Sequence, residues 1–471
     1  MISPEILGLR NPWWRGKEKI EEDEDYRRWA EKKYKWIPGI IDRVQMEPFS
    51  LHFLFGPRQV GKTTLLKLLI KKLLDSGAKE ESIFYFTCEG LRDFRELGEV
   101  LEGYLKMREG LGIRRSYIFL DEITFPTEWY RSLKLLIDSG KLKEDVLVLT
   151  GSTSLFAKRE VEMFPGRRGK GRNFLLLPLS FRDFLGVVDR ELYERLPEPL
   201  KTLEEGEIKE KSVACLPFLD RLNLILEKYL TCGGFPLAID SFLSHGKVLG
   251  EVYESYLSWL QTDIAKLGRS VELAREVIKV LLSKVPSPVS WEGIAKETGI
   301  KSPKTASAYV HLLNSLFVTL TLYHLDPSTG TVNFGKNKKI HFLDPLFYHM
   351  FCRWCLMEEV ERERMVESVV ASHLARFCST DSELRVFYWR DAREIDIVVE
   401  KNGLKGFEVK WGKVEAEKRI VGKIKQVTYL SRDTFLENPL VVPVSAFLAC
   451  LPSDIQDASN VRVLDTGNAN A

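Results

Sequence analysis

The sequence predicts an α/β fold built on a parallel sheet, with smaller domains after it. Three observations predict it. Between residues 46 and 188, short and continuously apolar runs alternate with helical segments, as strands buried on both faces and joined by crossover helices do. A glycine-rich segment, Gly56-Pro57-Arg58-Gln59-Val60-Gly61-Lys62-Thr63-Thr64, joins the first run to a helix. A later run, Tyr117-Ile118-Phe119-Leu120, ends in two carboxylates, Asp121 and Glu122.

Residues 1–45 are charged and aromatic. Asn11-Pro12-Trp13-Trp14 reads as a turn with two large anchors, and Glu18 to Lys35 as a mostly polar helix. This arm is expected to pack across the next domain by its aromatic rings; binding a partner is the alternative. The predicted strands of 46–188 are Leu51–Phe55, Ile83–Cys88, Tyr117–Leu120, Val146–Thr150 and Phe174–Leu177. Residues 189–270 read as a charged, exposed linker (Asp189 to Ser212) and a helical lid (Pro217 to Leu267) interrupted by Gly233-Gly234-Phe235-Pro236. Over 271–343, three helices (Val271–Val285, Trp291–Thr298, Ser302 to about Leu316) precede two extended runs, the order of a winged helix-turn-helix. Lys301, Lys304, Thr305, Ser307 and Tyr309 would line its third helix, either to read DNA or on a domain that serves only as a spacer. In 344–455, two helices precede strands Leu384–Trp389, Glu394–Val399 and Gly406–Trp411, a helix Lys418–Leu430 and a strand Leu440–Phe447. Residues 456–471 read as a polar, frayed tail.

Bulk properties narrow the function. At 471 residues the chain exceeds a single core. With 44% hydrophobic and 29% charged residues and a formal charge of +2, it carries no whole-chain signature of nucleic-acid binding, so any such contact must be local. No apolar run reaches membrane-spanning length and no secretion signal opens the chain, so no membrane partner is expected. Seven scattered cysteines fit a reducing, cytoplasmic setting. His349, Cys352 and Cys355 are spaced three apart, but within an apolar helix they read as core rather than as metal ligands.

The glycine-rich segment fits the phosphate-binding pattern G-x-x-x-x-G-K-S/T, between a strand and a helix over Leu65–Leu74. Its backbone N–H groups would converge on one spot, aided by the helix dipole, and Gly56 and Gly61 permit dihedrals that a side chain blocks. Lys62 would reach the β- and γ-phosphates and Thr63 would ligate magnesium. Asp121 would hold the same ion, through water, and Glu122 would orient and deprotonate the attacking water. ATP and Mg2+ are therefore the expected cofactors of a P-loop NTPase. The apolar run at Ile83–Cys88 suggests the type with an inserted strand and a catalytic glutamate. Ser152, after the strand ending at Thr150, is the candidate sensor. Six basic residues (Lys158, Arg159, Arg167, Arg168, Lys170, Arg172) face two acids between 158 and 172. Arg167 is the candidate arginine finger, acting in its own chain or on a neighbour's, with a solvated or DNA-contacting loop as the alternative.

The stretches GPRQVGKTTLLK, YIFLDEI, LTGSTSLF, PGRRGKGRNFLLLPLSFRDFL and YLTCGGFP resemble the AAA-like ATPase family of archaea and bacteria, over about residues 1–345. Asn11-Pro12-Trp13-Trp14 looks like a feature of its archaeal members. The resemblance implies an ATPase core with a helical lid and a fused C-terminal domain.

In that last domain, Asp396 and the alternating pair Glu408 and Lys410 could meet on adjacent strands. Two carboxylates holding magnesium and a lysine positioning water suffice for phosphodiester hydrolysis. Glu367, on the preceding helix, could complete the metal's ligands, and Gln426 and Tyr429, on the predicted helix, could touch the DNA backbone. The arrangement resembles the PD-(D/E)xK nuclease fold, with Ile395 in place of the motif's proline. Two functions are expected from these motifs. One is an ATPase that couples nucleotide state to binding or magnesium-dependent cleavage of double-stranded DNA. The other is a nucleotide-dependent switch or scaffold that binds a protein or nucleic-acid partner, with a non-cleaving, binding-only C-terminal domain. A homo-oligomer is compatible with both.

Overall fold

The computed structural model describes residues 4–152, 164, 166–379, 385–400, 403–412 and 414–453. Lys158, Arg159 and the tail from 456 lie outside them. The chain forms two compact units, one up to Leu177 and one from Pro178.

In the first unit, β1 (Ser50–Phe55), β2 (Ile83–Thr87), β3 (Tyr117–Asp121), β4 (Val146–Gly151) and β5 (Asn173–Leu175) make a parallel sheet in the order β2-β3-β4-β1-β5. These are the five predicted runs. β2 is the edge strand, and β4 is the strand that separates the loop strand β1 from the acidic strand β3. Alternation along the strands sends successive side chains to opposite faces. Phe53, Leu120 and Leu149 pack with Leu101 of α4 (Phe94–Gly110) and Leu133 of α5 (Tyr130–Asp138). Leu54, Phe119 and Val148 pack with Leu66 and Leu69 of α3 (Lys62–Asp75).

The arm packs on this sheet. The expected helix over 18–35 is shorter, a 3-10 turn at Lys17–Glu22 followed by a helix at Glu24–Ala30. Asp23 ends the turn by capping that helix, its carboxylate accepting the Tyr26 N–H. The indole N–H groups of Trp13 and Trp14 both donate to the Ile83 carbonyl at 2.9 Å.

The second unit begins with helices. Ser180 opens the first, Phe181–Val188, by a capping box with Asp183. The expected linker over 189–212 is instead largely helical, at Arg190–Arg195 and Glu205–Cys215, because Asp189 caps the first of these through the Leu192 N–H. Helices Leu219–Cys232, Pro236–His245 and Gly250–Lys266 follow. The Gly-Gly turn between the first two is explained by Asp344. That carboxylate accepts the Gly234 N–H at 2.9 Å, and a Cβ on Gly233 would lie 2.0 Å from it.

Helices Val271–Lys284, Trp291–Lys296 and Pro303–Ser315 each start at a serine cap, Ser270, Ser290 and Ser302. Next, β6 (Thr319–Leu322) pairs antiparallel with β9 (Lys339–Phe342). Tyr309 is not on an exposed face: it is buried, and its hydroxyl accepts the Ser270 N–H. Between these two strands, β7 (His324–Asp326) and β8 (Thr331–Asn333) join a larger sheet with β10 (Arg385–Arg390), β11 (Glu394–Glu400), β12 (Leu404–Lys410), β13 (Ile424–Ser431), β14 (Leu436–Glu437) and β15 (Leu440–Pro443). The helix expected over 418–430 is therefore wrong. Residues 424–431 form a strand parallel to β12, with Ile424, Val427 and Tyr429 in the sheet's core, where β-branched and aromatic side chains fit best. The expected last strand ends at Pro443 and continues as a helix, Val444–Cys450. His349, in the helix Pro345–Cys355, bonds the Leu230 carbonyl. Cys352 and Cys355 are buried free thiols.

His52 on β1 is wholly buried, with Nε2 on the Gln45 carbonyl and Nδ1 accepting the Arg172 N–H. The Nδ1 bond needs the neutral ring, since protonation there removes the accepting lone pair. Burial pushes its pKa down to about 4, below the ordinary 6.5, so between these values the unfolded chain binds the proton more readily. Its stabilisation is thus complete above pH 6.5 and lost as pH falls toward 4. The unfolding free-energy gap between wild type and His52→Gln is expected to shrink by about 2 kcal/mol from pH 7 to pH 4.5. A gap independent of pH in urea titrations would contradict this.

Candidate nucleotide site

The loop after β1 is shaped by close backbone approach. A Cβ on Gly56 would lie 2.0 Å from the Leu176 carbonyl oxygen, and Gln59 and Gly61 have φ of 57° and 99°. Helix α3 then starts without a side-chain cap, unlike the serine-capped helices of the second unit. Its first N–H groups point toward the loop's interior, where an anion would satisfy them. Lys62 is buried, and its Nζ donates to the Gly56 and Pro57 carbonyls at 3.0 and 2.8 Å. Pro57, Arg58, Val60 and Thr64 complete the loop and first turn, as the pattern requires.

The ends of three strands deliver the rest. Asp121 is buried at the end of β3. Its Oδ2 accepts the Thr63 hydroxyl at 2.6 Å and the Tyr85 hydroxyl at 3.1 Å. Its Oδ1 accepts the Thr150 hydroxyl, and the same Thr150 oxygen accepts the Glu122 N–H at 2.8 Å. Glu122 has φ of 50°, a conformation that costs a non-glycine residue energy and turns its carboxylate toward the loop. One oxygen lies 3.5 Å from Lys62 Nζ; the other is buried with no hydrogen-bond partner. An uncapped helix and a lysine held by two loop carbonyls beside Glu122 suit a triphosphate, and the uncommitted Glu122 oxygen suits a water molecule. One aspartate and one threonine suit magnesium, which keeps waters and phosphate oxygens as its other ligands.

Two sequence expectations change here. Ser152 is buried just beyond β4, but the hydroxyl that bridges both acids is that of Thr150, which alternation along β4 aims at the β3 terminus. Arg167 is at the wrong end of the sheet to act on its own loop. It pairs with Asp138, the last residue of α5, through two bonds of 2.7 and 3.2 Å. Neighbouring Gly169 bridges Ser50, at the start of β1, whereas the loop follows Phe55 at its end, about 17 Å away at strand rise.

The proposed C-terminal metal set is also corrected. Lys339 on β9 is 1% exposed, with its Nζ 2.8 Å from Glu367, 2.5 Å from Glu394 and 3.1 Å from Asp396. The other Asp396 oxygen accepts the Val409 N–H at 2.9 Å. Glu408 is bonded by Arg419 and lies 3.4 Å from Lys410. An ammonium thus stands among the carboxylates that were expected to hold magnesium. Among the described residues, no group of three or more His, Cys, Asp or Glu side chains could hold a metal ion. Burial, then the charge of Asp396, pushes the Glu367 carboxyl up despite its contact with Lys339, because one ammonium is shared by three acids. Gln426 and Tyr429 lie on β13, Gln426 reaching the Leu203 and Thr428 oxygens and Tyr429 the Glu417 carbonyl. Lys339 was missed because a lysine in a basic run reads as solvated, and nothing in the sequence links it to Asp396.

The sheet order, the loop and the acid pair define an α/β P-loop domain of the type with a strand between the loop and acidic strands. Residues 48–185 match the family model of an AAA domain. Residues 223–354 and 362–435 match two domains of unknown function, DUF8612 and DUF4143. No curated protein matches the chain. Solved structures similar to it include a RuvB variant of Thermotoga maritima (15% identity, 66% of this chain and 88% of that one, TM-score 0.24). Cdc6p of Pyrobaculum aerophilum shows 13% identity over 75% and 97% of the two chains (TM-score 0.25). A DNA polymerase III gamma subunit-related protein of Thermotoga maritima shows 16% over 59% and 95% (TM-score 0.25). Scores this low carry no structural weight, and the likeness rests on the AAA domain match over residues 48–185. No helix among the described residues is long and apolar enough to cross a membrane.

Removing Lys339 would strand two buried carboxylates, Glu367 and Asp396, and the half-buried Glu394, a loss on the scale of ~3–5 kcal/mol. Lys339→Met is expected to lower unfolding free energy by that amount at pH 8, and by less at pH 5, where protonation relieves the repulsion. Denaturant titrations showing no loss at pH 8 would contradict the role given to Lys339.

Proposed function

We propose that the chain is an ATP-hydrolysing switch whose second unit binds double-stranded DNA without cutting it. The observation that carries the hydrolytic reading is the Thr150 hydroxyl, which ties the Asp121 carboxylate to the Glu122 backbone beside Lys62. On nucleotide binding, Lys62 exchanges the Gly56 and Pro57 carbonyls for β- and γ-phosphate oxygens. Thr63 and Asp121 would hold magnesium, which would draw negative charge from those oxygens. Glu122 offers its unpartnered oxygen to a water molecule and takes its proton as that water attacks the γ-phosphorus and ADP leaves. Arg167 is too far from its own loop to assist. It would serve as a finger only on a neighbouring subunit, which makes a homo-oligomer part of this reading.

The DNA reading rests on the serine-capped helix Pro303–Ser315. Lys301 and Lys304 are exposed at its start, and Thr305 and Ser307 are half-buried beside them. With its two preceding helices and the β6–β9 pair it has the parts of a winged helix. Binding is favoured over cleavage because Lys339 and Arg419 already neutralise Asp396, Glu367 and Glu408.

Glu122→Gln is expected to bind ATP normally and to turn over at least ~10²-fold slower. Turnover at the wild-type rate would place the base elsewhere. Duplex DNA is expected to shift in electrophoretic mobility with nucleotide state, and to stay intact with magnesium and ATP. Cleavage by wild type that disappears in Lys410→Ala would overturn the non-cleaving reading.

A further inference from the structure

We infer that Tyr85 is a positioning residue for Asp121, and that the N-terminal arm, by holding Tyr85, sets the magnesium-dependent grip on ATP. The inference rests on the nucleotide reading above. Tyr85 sits on β2, the edge strand, and is 6% exposed. Its hydroxyl donates to the same Asp121 oxygen that receives Thr63. A strand at a sheet edge has unpaired backbone groups. Here the arm supplies the pairing: Asn11 Oδ1 accepts the Tyr85 N–H at 2.7 Å, and Asn11 Nδ2 donates to the Tyr85 carbonyl at 3.1 Å. One carboxamide thus does at Tyr85 what a sixth strand would do.

The arm also reaches the tyrosine ring. Lys67 on α3 is 1% exposed, and its ammonium lies 3.1 Å from the centre of that ring. Burying an ammonium is costly unless it is paired, and its partner is Asp23, whose Oδ2 is 2.8 Å away. Trp13 adds a second ring at 5.5 Å. The run Asp23–Lys67–Tyr85–Asp121 therefore joins the arm to the residue expected to hold the ion, and it passes through the helix that starts at the loop. Undocking the arm removes Asn11, Trp13 and Asp23 together. The Tyr85 backbone loses its partner, Lys67 loses its counter-ion, and the phenol is no longer held on Asp121. The arm is in this sense part of the nucleotide site.

The test is calorimetry of a non-hydrolysable ATP analogue with full-length protein, in EDTA and in magnesium. Tyr85→Phe keeps the ring over Lys67 and removes only the hydroxyl. It is expected to match wild type in EDTA and to lose about tenfold of the affinity that magnesium adds, the scale of one hydrogen bond to a carboxylate. Asp23→Asn, which touches no residue of the loop, is expected to show the same selective loss. A magnesium-dependent gain equal to wild type in Tyr85→Phe would overturn the role of Tyr85, whatever the stability of the Asp23 variant. A normal gain in a folded Asp23→Asn protein would overturn the role of the arm. If wild type binds no analogue under either condition, the nucleotide reading itself falls.

Discussion

The first unit is organised around one carboxylate. Asp121 ends a strand in the middle of a parallel sheet, where an ionised acid is costly to bury unless its oxygens are bonded. Three hydroxyls bond it, from Thr63 on the loop's helix, Tyr85 on the edge strand and Thr150 on the intervening strand. Each comes from a different element, so the carboxylate is satisfied only when helix, edge strand and central strand are all in register. The loop's geometry, the strained turn at Glu122 and the docking of the arm all meet at this point.

Much of this was legible in the residues. Continuous apolar runs find their strands because both faces are buried, and a glycine-rich turn before a helix has few other uses. The acids at the end of β3 were equally plain, since an apolar strand ending in two carboxylates must deliver them to one edge. Thr150 was harder. It reads as one more β-branched strand residue, and only the sheet order, with β4 between β1 and β3, shows its hydroxyl between the acids. Arg167 was misjudged because a basic loop near a strand says nothing about which end of the sheet it visits.

The second unit was less legible, for a related reason. Residues 418–430 carry apolar groups at spacings that suit a helix, yet Val427, Thr428 and Tyr429 prefer a sheet, and pairing with β12 decides the outcome. Asp396, Glu408 and Lys410 are on the strands expected of them. Their chemistry is altered by Arg419, next to Glu408, and by Lys339, which is distant in sequence from Glu367 and Asp396. A motif states which groups are available, while the neighbours brought by the fold decide whether those groups hold a metal or are already paired.

The central claim is that the loop between β1 and α3 encloses a triphosphate, with Lys62 as its main cation. Titration of ATP into the full-length protein in the presence of magnesium, followed by heat, tests it most directly. Saturable one-site binding that is lost in Lys62→Ala is the result predicted. Binding of equal strength in wild type and Lys62→Ala, or no heat of association with folded wild-type protein, would contradict it.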